Sequence, residues 1–348
     1  MHSAWRNMVA VCAALPVLAF AQAADPSVAI VQSERADREA FLARGAKKEG
    51  AVVVYTSLIA EDLAALSAAF EKKYGVKVKG WRAGSEMVLQ RALAESRASR
   101  NDADVIETNG PELESLHRER ILQPFKSPHL ADLMPQALRP HGEWVGTRIN
   151  MFVQTYNTRL VKKEDLPRKY SDLENPRWKG MLGIEAEDDD WFATAVKGEG
   201  EEAGLRTFRE IAKTNGFSVR KGHTLLAGLV ASGEIAFALT TYSHGAVKLK
   251  QKGAPVDWYA IEPAIGRANG VAILRKPAHP HAGMLFADFM LSPEGQAILE
   301  RGGYVPANLR VASPARRLTL RFVDPAMVLD EDAKWKKLYA QIVLGNAR

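Results

Sequence analysis

Three groups of residues in this 348-residue chain have the types and spacing to hold a small charged molecule. The first is a set of polar turns, Thr56-Ser57, Ser85-Glu86 and Thr108-Asn109, each placed where a strand pattern gives way to a helical one. Free backbone N–H groups at a helix start suit an anionic or polar ligand, although Ser, Thr and Asn also serve there simply as N-caps. The second is Asp188-Asp189-Asp190, followed by Trp191 and Phe192. Carboxylates beside aromatic rings can take the ammonium group of a solute while the rings pack on its apolar part; equally, acids at a helix start complement its dipole. Asp189 is the acid carried forward, and for Trp191 a ligand wall and ordinary packing both stay open. The third is His223-Thr224 at a strand-to-helix turn, with Arg220 and Lys221 beside it to neutralise a carboxylate or phosphonate, and Tyr242 with His244 after a later strand. Trp81 and Arg82, before the Ala83-Gly84-Ser85 turn, are candidates of the same kind.

Regular elements must bring these groups together. Ala51 to Tyr55 is a continuous apolar strand, and Leu63, Leu66 and Phe70 then share one face of a helix closed by Gly75. Val76 to Trp81 alternates as a second strand, Glu86 opens a helix with Leu89 and Leu93 inward, and Asp104 to Thr108 is a third strand. This β-α-β-α-β order predicts an open sheet with right-handed crossovers, with ligands at the carboxyl edge of its strands. Residues 145 to 157 read as a long strand crossing to a second lobe. There the pattern repeats, with strands at 181 to 185, 217 to 220, 234 to 239 and 256 to 260. Residues 262 to 272, running into Ile273 and Leu274, cross back. The expected fold is α/β and two-lobed, each lobe an open mixed sheet flanked by helices, with lobe one formed by 24–148 and 264–348 and lobe two by 149–263. Two crossing strands make a hinge on which the lobes close over a ligand.

Arg6, the apolar run Met8 to Phe20 and Ala21-Gln22-Ala23 have the order of a cleavable signal peptide, predicted over residues 1–23. The single cysteine, Cys12, lies within it, so the exported chain would rely on an ordinary core, which 47% hydrophobic residues allow. The formal charge is +6, and without Arg6 it is +5, spread thinly and not interleaved with aromatics. Nucleic acid is therefore excluded as a partner. No G-x-S-x-G, H-E-x-x-H or P-loop pattern occurs, and Gly198, Gly200 and Gly204 do not follow a strand, so an enzyme is not expected.

The stretch GMLFADFMLSPEGQAILERGGYVPAN at 283 to 308 carries the strongest signature. Leu285 and Phe289 stand one helical turn apart, Ser292-Pro293 is an N-cap with proline at the first helical position, and Gly302-Gly303 with Pro306 stops the second helix. With PAHPHAG at 277 to 283 it resembles the C-terminal part of periplasmic solute-binding proteins of bacterial ABC importers, in the subgroup that includes ferric-ion, thiamine and phosphonate binders. ADVIETNGPELESLHRERILQPF at 103 to 125, GEWVGTRINMFVQTYNT at 142 to 158 and YSDLENPRWKG at 170 to 180 resemble the same family in order and spacing. The resemblance implies a type II periplasmic-binding-protein fold, a periplasmic monomer and an inner-membrane ABC permease as partner. It also implies capture of one small polar solute, taken here as an organic anion or zwitterion, with no cofactor. The ligand candidates are Tyr55, Thr56, Ser57, Ser85, Glu86, Asn109, Asp189, Trp191, His223, Thr224, Tyr242 and His244. Ferric members of the family grip the metal with two adjacent tyrosines; here the matching place reads Thr241-Tyr242-Ser243-His244, with one tyrosine only. A site for Fe3+ as transported ligand would therefore draw on Tyr242, His244, Glu86 and an acid among 188 to 190. A sensor that docks on a membrane receptor would share the same fold.

Overall fold

Apolar strand runs separated by amphipathic helices build the sheet in the computed structural model, which describes residues 25–346. The predicted signal peptide lies outside the described residues. The strands are β1 (Ala51–Thr56), β2 (Lys77–Arg82), β3 (Val105–Asn109), β4 (Leu122–Gln123), β5 (Trp144–Asn157), β6 (Leu182–Glu185), β7 (Ser218–Arg220), β8 (Phe237–Tyr242), β9 (Val256–Tyr259), β10 (Ala264–Leu274), β11 (Val305–Pro306) and β12 (Leu320–Phe322). Their order is β2-β1-β3-β10-β5-β8-β6-β7, with β4 and β12 on β10 and β9 and β11 on β5. β1 is parallel to β2 and β3, and β6 is parallel to β7 and β8, as crossover helices require. β5 and β10 are antiparallel and join the two parallel halves. The first half of β5 pairs with β10 and its second half with β8 and β9, so this strand runs from one lobe into the other.

One core gathers Val52, Val54, Leu66, Phe70, Leu285 and Phe289 around the first lobe. A second gathers Trp178, Ile184, Phe192, Phe208 and Phe237 around the other. The helix stops are local chemistry. Gly50 and Gly75 end their helices with φ of 81° and 70°, the left-handed region in which only glycine is unstrained. Ser292 accepts the N–H of Gly295 and Pro293 opens helix Pro293–Arg301, the cap and start expected from the sequence.

Two expectations shift. The strand placed at 234 to 239 is β8, ending at Tyr242, because the helix before it runs to Ser232 and left-handed Gly233 and a bend occupy the intervening residues. Thr240, Thr241 and Tyr242 thus belong to the strand rather than to the turn after it. The last part of the chain, expected wholly in lobe one, divides. Helix Pro325–Asp330 packs on helix Gly110–Arg118. Val323, Val328, Trp335, Tyr339 and Ile342 join the second core instead. Trp335, Tyr339 and Ile342 form an i, i+4, i+7 stripe on helix Asp332–Ile342, and Phe192 offers both aromatic residues an edge contact, at 6.1 and 5.5 Å between centroids. No helix among the described residues is long and apolar enough to cross a membrane.

Trp335 also donates its indole N–H to Glu331, so its removal leaves a cavity and an unused acceptor. Trp335→Ala is expected to cost about 3–5 kcal/mol in urea denaturation with the fold retained.

Candidate functional site

The pairing of β5 with β10 sets the site. Arg148 stands opposite Asn269 and Asn150 opposite Arg267. Directly paired residues on neighbouring strands point to the same face, and so do residues two apart on one strand. All four side chains therefore share one face of the crossing strands. The register carries this face outward: Asn109 of β3 is opposite Asn269, Tyr242 of β8 is opposite Phe152, and Thr56 of β1 is opposite Glu107. The result is a polar stripe across the junction of the lobes, in which Arg148 is 2% exposed and Asn269 1%.

Each guanidinium in the stripe is neutralised. Arg148 pairs with Glu107, which also accepts from the Thr56 hydroxyl, and lies 4.8 Å from the centre of the Tyr304 ring. Arg267 pairs with Asp190 at 2.7 Å, donates to the Tyr242 hydroxyl and covers the Phe152 ring. Asn269 donates to Asn109 at 2.8 Å. The His223 ring stands 3.8 Å from that of Tyr242, and His244 lies between Tyr242 and Tyr304. Burial, with Arg148, Lys248 and His223 nearby, holds the His244 imidazole well below its ordinary value, so it is neutral. For His223 burial opposes charge, but Asp188 and then Glu185 outweigh it and raise its value. Glu112, in the first turn of helix Gly110–Arg118, is pushed up to about 7 by burial, against the pull of Arg267. Its stem is partly exposed while its Oε2 is buried without a partner among the described residues, so the carboxyl behaves as a buried group. Asp189 is likewise pushed up to about 7 by burial and by Asp190.

The stripe and its walls also hold buried polar atoms without a hydrogen-bond partner among the described residues. Donors are Arg148 Nε, Arg267 Nε and Ser243 Oγ; acceptors are Asn150 Oδ1, Asn269 Oδ1, Asp188 Oδ2 and Glu112 Oε2. Native interiors pair nearly all such atoms, so their concentration here makes the stripe the candidate site for a polar molecule.

Of the expected residues, Thr56, Asn109 and Tyr242 lie on the stripe, with His223 and His244 against the Tyr242 ring. Ser57, which accepts from the Thr108 hydroxyl, adjoins Thr56. Ser85 opens helix Ser85–Arg97 at the edge of β2. Glu86 is exposed and accepts from Gln90, and it has no recorded contact with Tyr242 or His244, so the suggested metal set is not assembled. Tyr55 departs from expectation: strand alternation turns it away from Thr56 into the core, where it donates to Glu95 and packs on Trp81. Trp191 is packing, fully buried with Tyr170 and Phe208. Thr224 is exposed. Helix phase gives the guanidinium contact to Asp190 rather than Asp189, which is half-buried. Arg148, Asn150, Arg267, Asn269, Glu107 and Glu112 were not anticipated. A signal existed: Arg-x-Asn occurs at the middle of both crossing strands, placing polar residues at alternate positions of otherwise apolar runs.

Comparisons with known proteins agree with this architecture. Residues 103–333 match the family model for bacterial extracellular solute-binding proteins. The Fe(3+)-binding periplasmic protein of Serratia marcescens is 24% identical over 270 residues, 75% of this chain and 79% of the relative. Iron uptake protein A1 of a Synechocystis strain is 28% identical over 275 residues, 71% of this chain and 75% of that one. Among solved structures, iron-bound HitA from Pseudomonas aeruginosa superposes with a TM-score of 0.74 at 23% identity, covering 84% of this chain and 99% of its own. AfuA from Actinobacillus pleuropneumoniae, with fructose-6-phosphate bound, gives 0.74 at 23% identity, with 84% and 98% covered. These structures share the two-lobed fold with this chain. With a match over most of its length and that fold in place, the chain belongs to the bacterial extracellular solute-binding protein family, as a non-enzymatic receptor of the type II periplasmic-binding class.

Proposed function

We propose that this protein is the periplasmic receptor of an ABC importer and captures a small organic anion or zwitterion on the stripe between its lobes. The observation that carries this reading is the coexistence of free guanidinium Nε donors with free carboxamide and carboxylate acceptors in one buried strip. A solute bearing both an anionic group and donor groups satisfies both sets, and the neutral His244 adds a partner of either sense. The lobes also meet through Lys248 of helix Ser243–Gln251, which reaches Asp62 at 2.8 Å and Glu61 at 3.5 Å on helix Ala60–Tyr74. That ion pair supports a closed form, the form an inner-membrane permease would select.

A ferric ion is the second reading, favoured by Tyr242 and by the iron-binding names of two relatives. Two features weigh against it. Ser243 stands where a second phenol would, and the Tyr242 hydroxyl is already held by the Arg267 guanidinium, which repels a trivalent cation.

A thermal-shift panel on mature, ligand-stripped protein, covering carboxylates, phosphorylated sugars, amino acids, phosphonates, thiamine and ferric salts, should give its main response with an organic anion or zwitterion. At a hundred times the dissociation constant the gain should be about 2.7 kcal/mol. Asn150→Ala, which breaks no recorded internal hydrogen bond, should weaken that solute about tenfold in calorimetry while leaving the melting temperature of the free protein nearly unchanged. A response confined to ferric salts, with a visible tyrosinate band, would replace the organic reading by the metal one.

The charge of Glu112 gives a second test. Its folded value, about 7, lies above the ordinary carboxyl value of 4.5, so the folded state holds this proton more tightly than the unfolded chain does. Its contribution is complete below the unfolded value and is lost as pH rises toward about 7. Glu112→Gln should therefore gain on the parent between pH 5 and 8, by on the order of 1–2 kcal/mol in denaturant titrations after allowance for its partly exposed stem.

A further inference from the structure

At the second-lobe margin of the stripe, Asp188 and His223 belong to a donor set that a polar solute alone does not fill. Glu185 ends β6, Asp188 precedes helix Asp189–Gly198, and His223 opens helix His223–Ser232. One ligand atom from each lies within 4.8 Å of the other two. Their orientations and partners are also set. His223 Nδ1 faces the Thr240 carbonyl oxygen at 3.3 Å, and a carbonyl can only accept, so Nδ1 carries a proton and Nε2 is the nitrogen turned to Asp188. A backbone carbonyl on the far ring nitrogen is the usual orienting contact of a metal-bound histidine.

The spacing fits an ion better than a direct pair. Nε2 stands 3.3 Å from Asp188 Oδ1. A buried charge-assisted hydrogen bond would close to about 2.7–2.9 Å. Two ligands at about 2.0–2.2 Å from one tetrahedral ion stand about 3.4 Å apart. Asp188 is 1% exposed, and its second oxygen has no partner among the described residues although the residue occupies an N-cap position. Glu185, 4% exposed, is held by the Gly222 and Glu187 N–H groups and keeps lone pairs on both oxygens. Two buried carboxylates face one imidazole, and Arg267 nearby is already engaged by Asp190 and Tyr242.

We propose that Glu185, Asp188 and His223 form a binding site for a divalent transition-metal cation, at the second-lobe margin of the solute stripe and held by the second lobe alone. A dication would displace any proton from Nε2, be balanced by the two carboxylates and give Asp188 Oδ2 a partner. One imidazole nitrogen with two carboxylates suits the zinc, manganese and cobalt class; calcium and magnesium take oxygen alone. Because no first-lobe residue contributes, the ion would bind the open and closed forms alike.

Mature protein stripped with EDTA should be titrated with Co2+ by calorimetry and visible absorption, with Zn2+ as competitor. The expected result is one saturable equivalent without a tyrosinate band. His223→Gln and Asp188→Asn should each weaken it about tenfold or more, and Tyr242→Phe should retain it. Metal-free melts and circular dichroism establish that each variant is folded. X-ray absorption on the zinc-loaded parent, which needs no variant, should show a first shell of nitrogen and oxygen with one imidazole. Absence of saturable binding, binding unchanged in folded His223→Gln, loss in Tyr242→Phe, or a shell without imidazole would each overturn the proposal. Solute binding is measured separately in EDTA, so neither result decides the other.

Discussion

Two guanidinium groups buried on one face of the crossing strands are the constraint around which this molecule is arranged. A charge taken out of water is costly unless paired and hydrogen-bonded, so Arg148 and Arg267 can occupy the lobe junction only with dedicated partners. The pairs use different lobes. Glu107 reaches Arg148 from the middle of β3, while Asp190 reaches Arg267 from the helix after β6. Each crossing strand thus carries a cation tied to an acid from a different parallel half of the sheet. Removing either acid would strand a buried charge and cost about 3–5 kcal/mol.

Pairing uses only part of each guanidinium. The Nε atoms of both, with two carboxamide oxygens opposite them, remain without partners among the described residues. Antiparallel pairing of two Arg-x-Asn segments produces this arrangement directly, since it sets each arginine against the other strand's asparagine. Tyr242, His223, His244 and Tyr304 surround it with rings, which exclude water and strengthen every polar contact made inside. The same low-dielectric setting raises Glu112 and Asp189 and keeps His244 neutral, so the charges of the walls depend on what lies between them.

Much of this was legible in the sequence wherever one local rule decided the outcome. The first β-α-β-α-β unit, the Gly75 stop, the Ser292 cap and both crossing strands followed from periodicity and capping chemistry. Thr56, Asn109 and Tyr242 were singled out because ligands gather at strand ends, and the register sets all three on the stripe. Tyr55 was misplaced because a strand end says nothing of which face a side chain takes, and alternation sent it to the core. Trp191 was ambiguous because an aromatic after acids suits a wall or a core, and the second core claimed it. Arg148 and Arg267 escaped notice because they lie in mid-strand, where function is not usually sought, and only the β5–β10 register reveals that they face one another's asparagines. Trp335 and Tyr339 required knowing that Phe192 offered their helix a face.

The central claim is that the solute lies on the Arg-x-Asn stripe, and the arginine side chains report on it directly. Nitrogen-15 spectra of the Nε–H groups should be followed while the most strongly stabilising solute is titrated in. The account predicts that the signals of Arg148 and Arg267, assigned by Arg→Lys variants, move to new saturable positions and exchange more slowly with solvent while other arginine signals stay in place. Saturation of binding with both signals unmoved would contradict it and place the solute elsewhere.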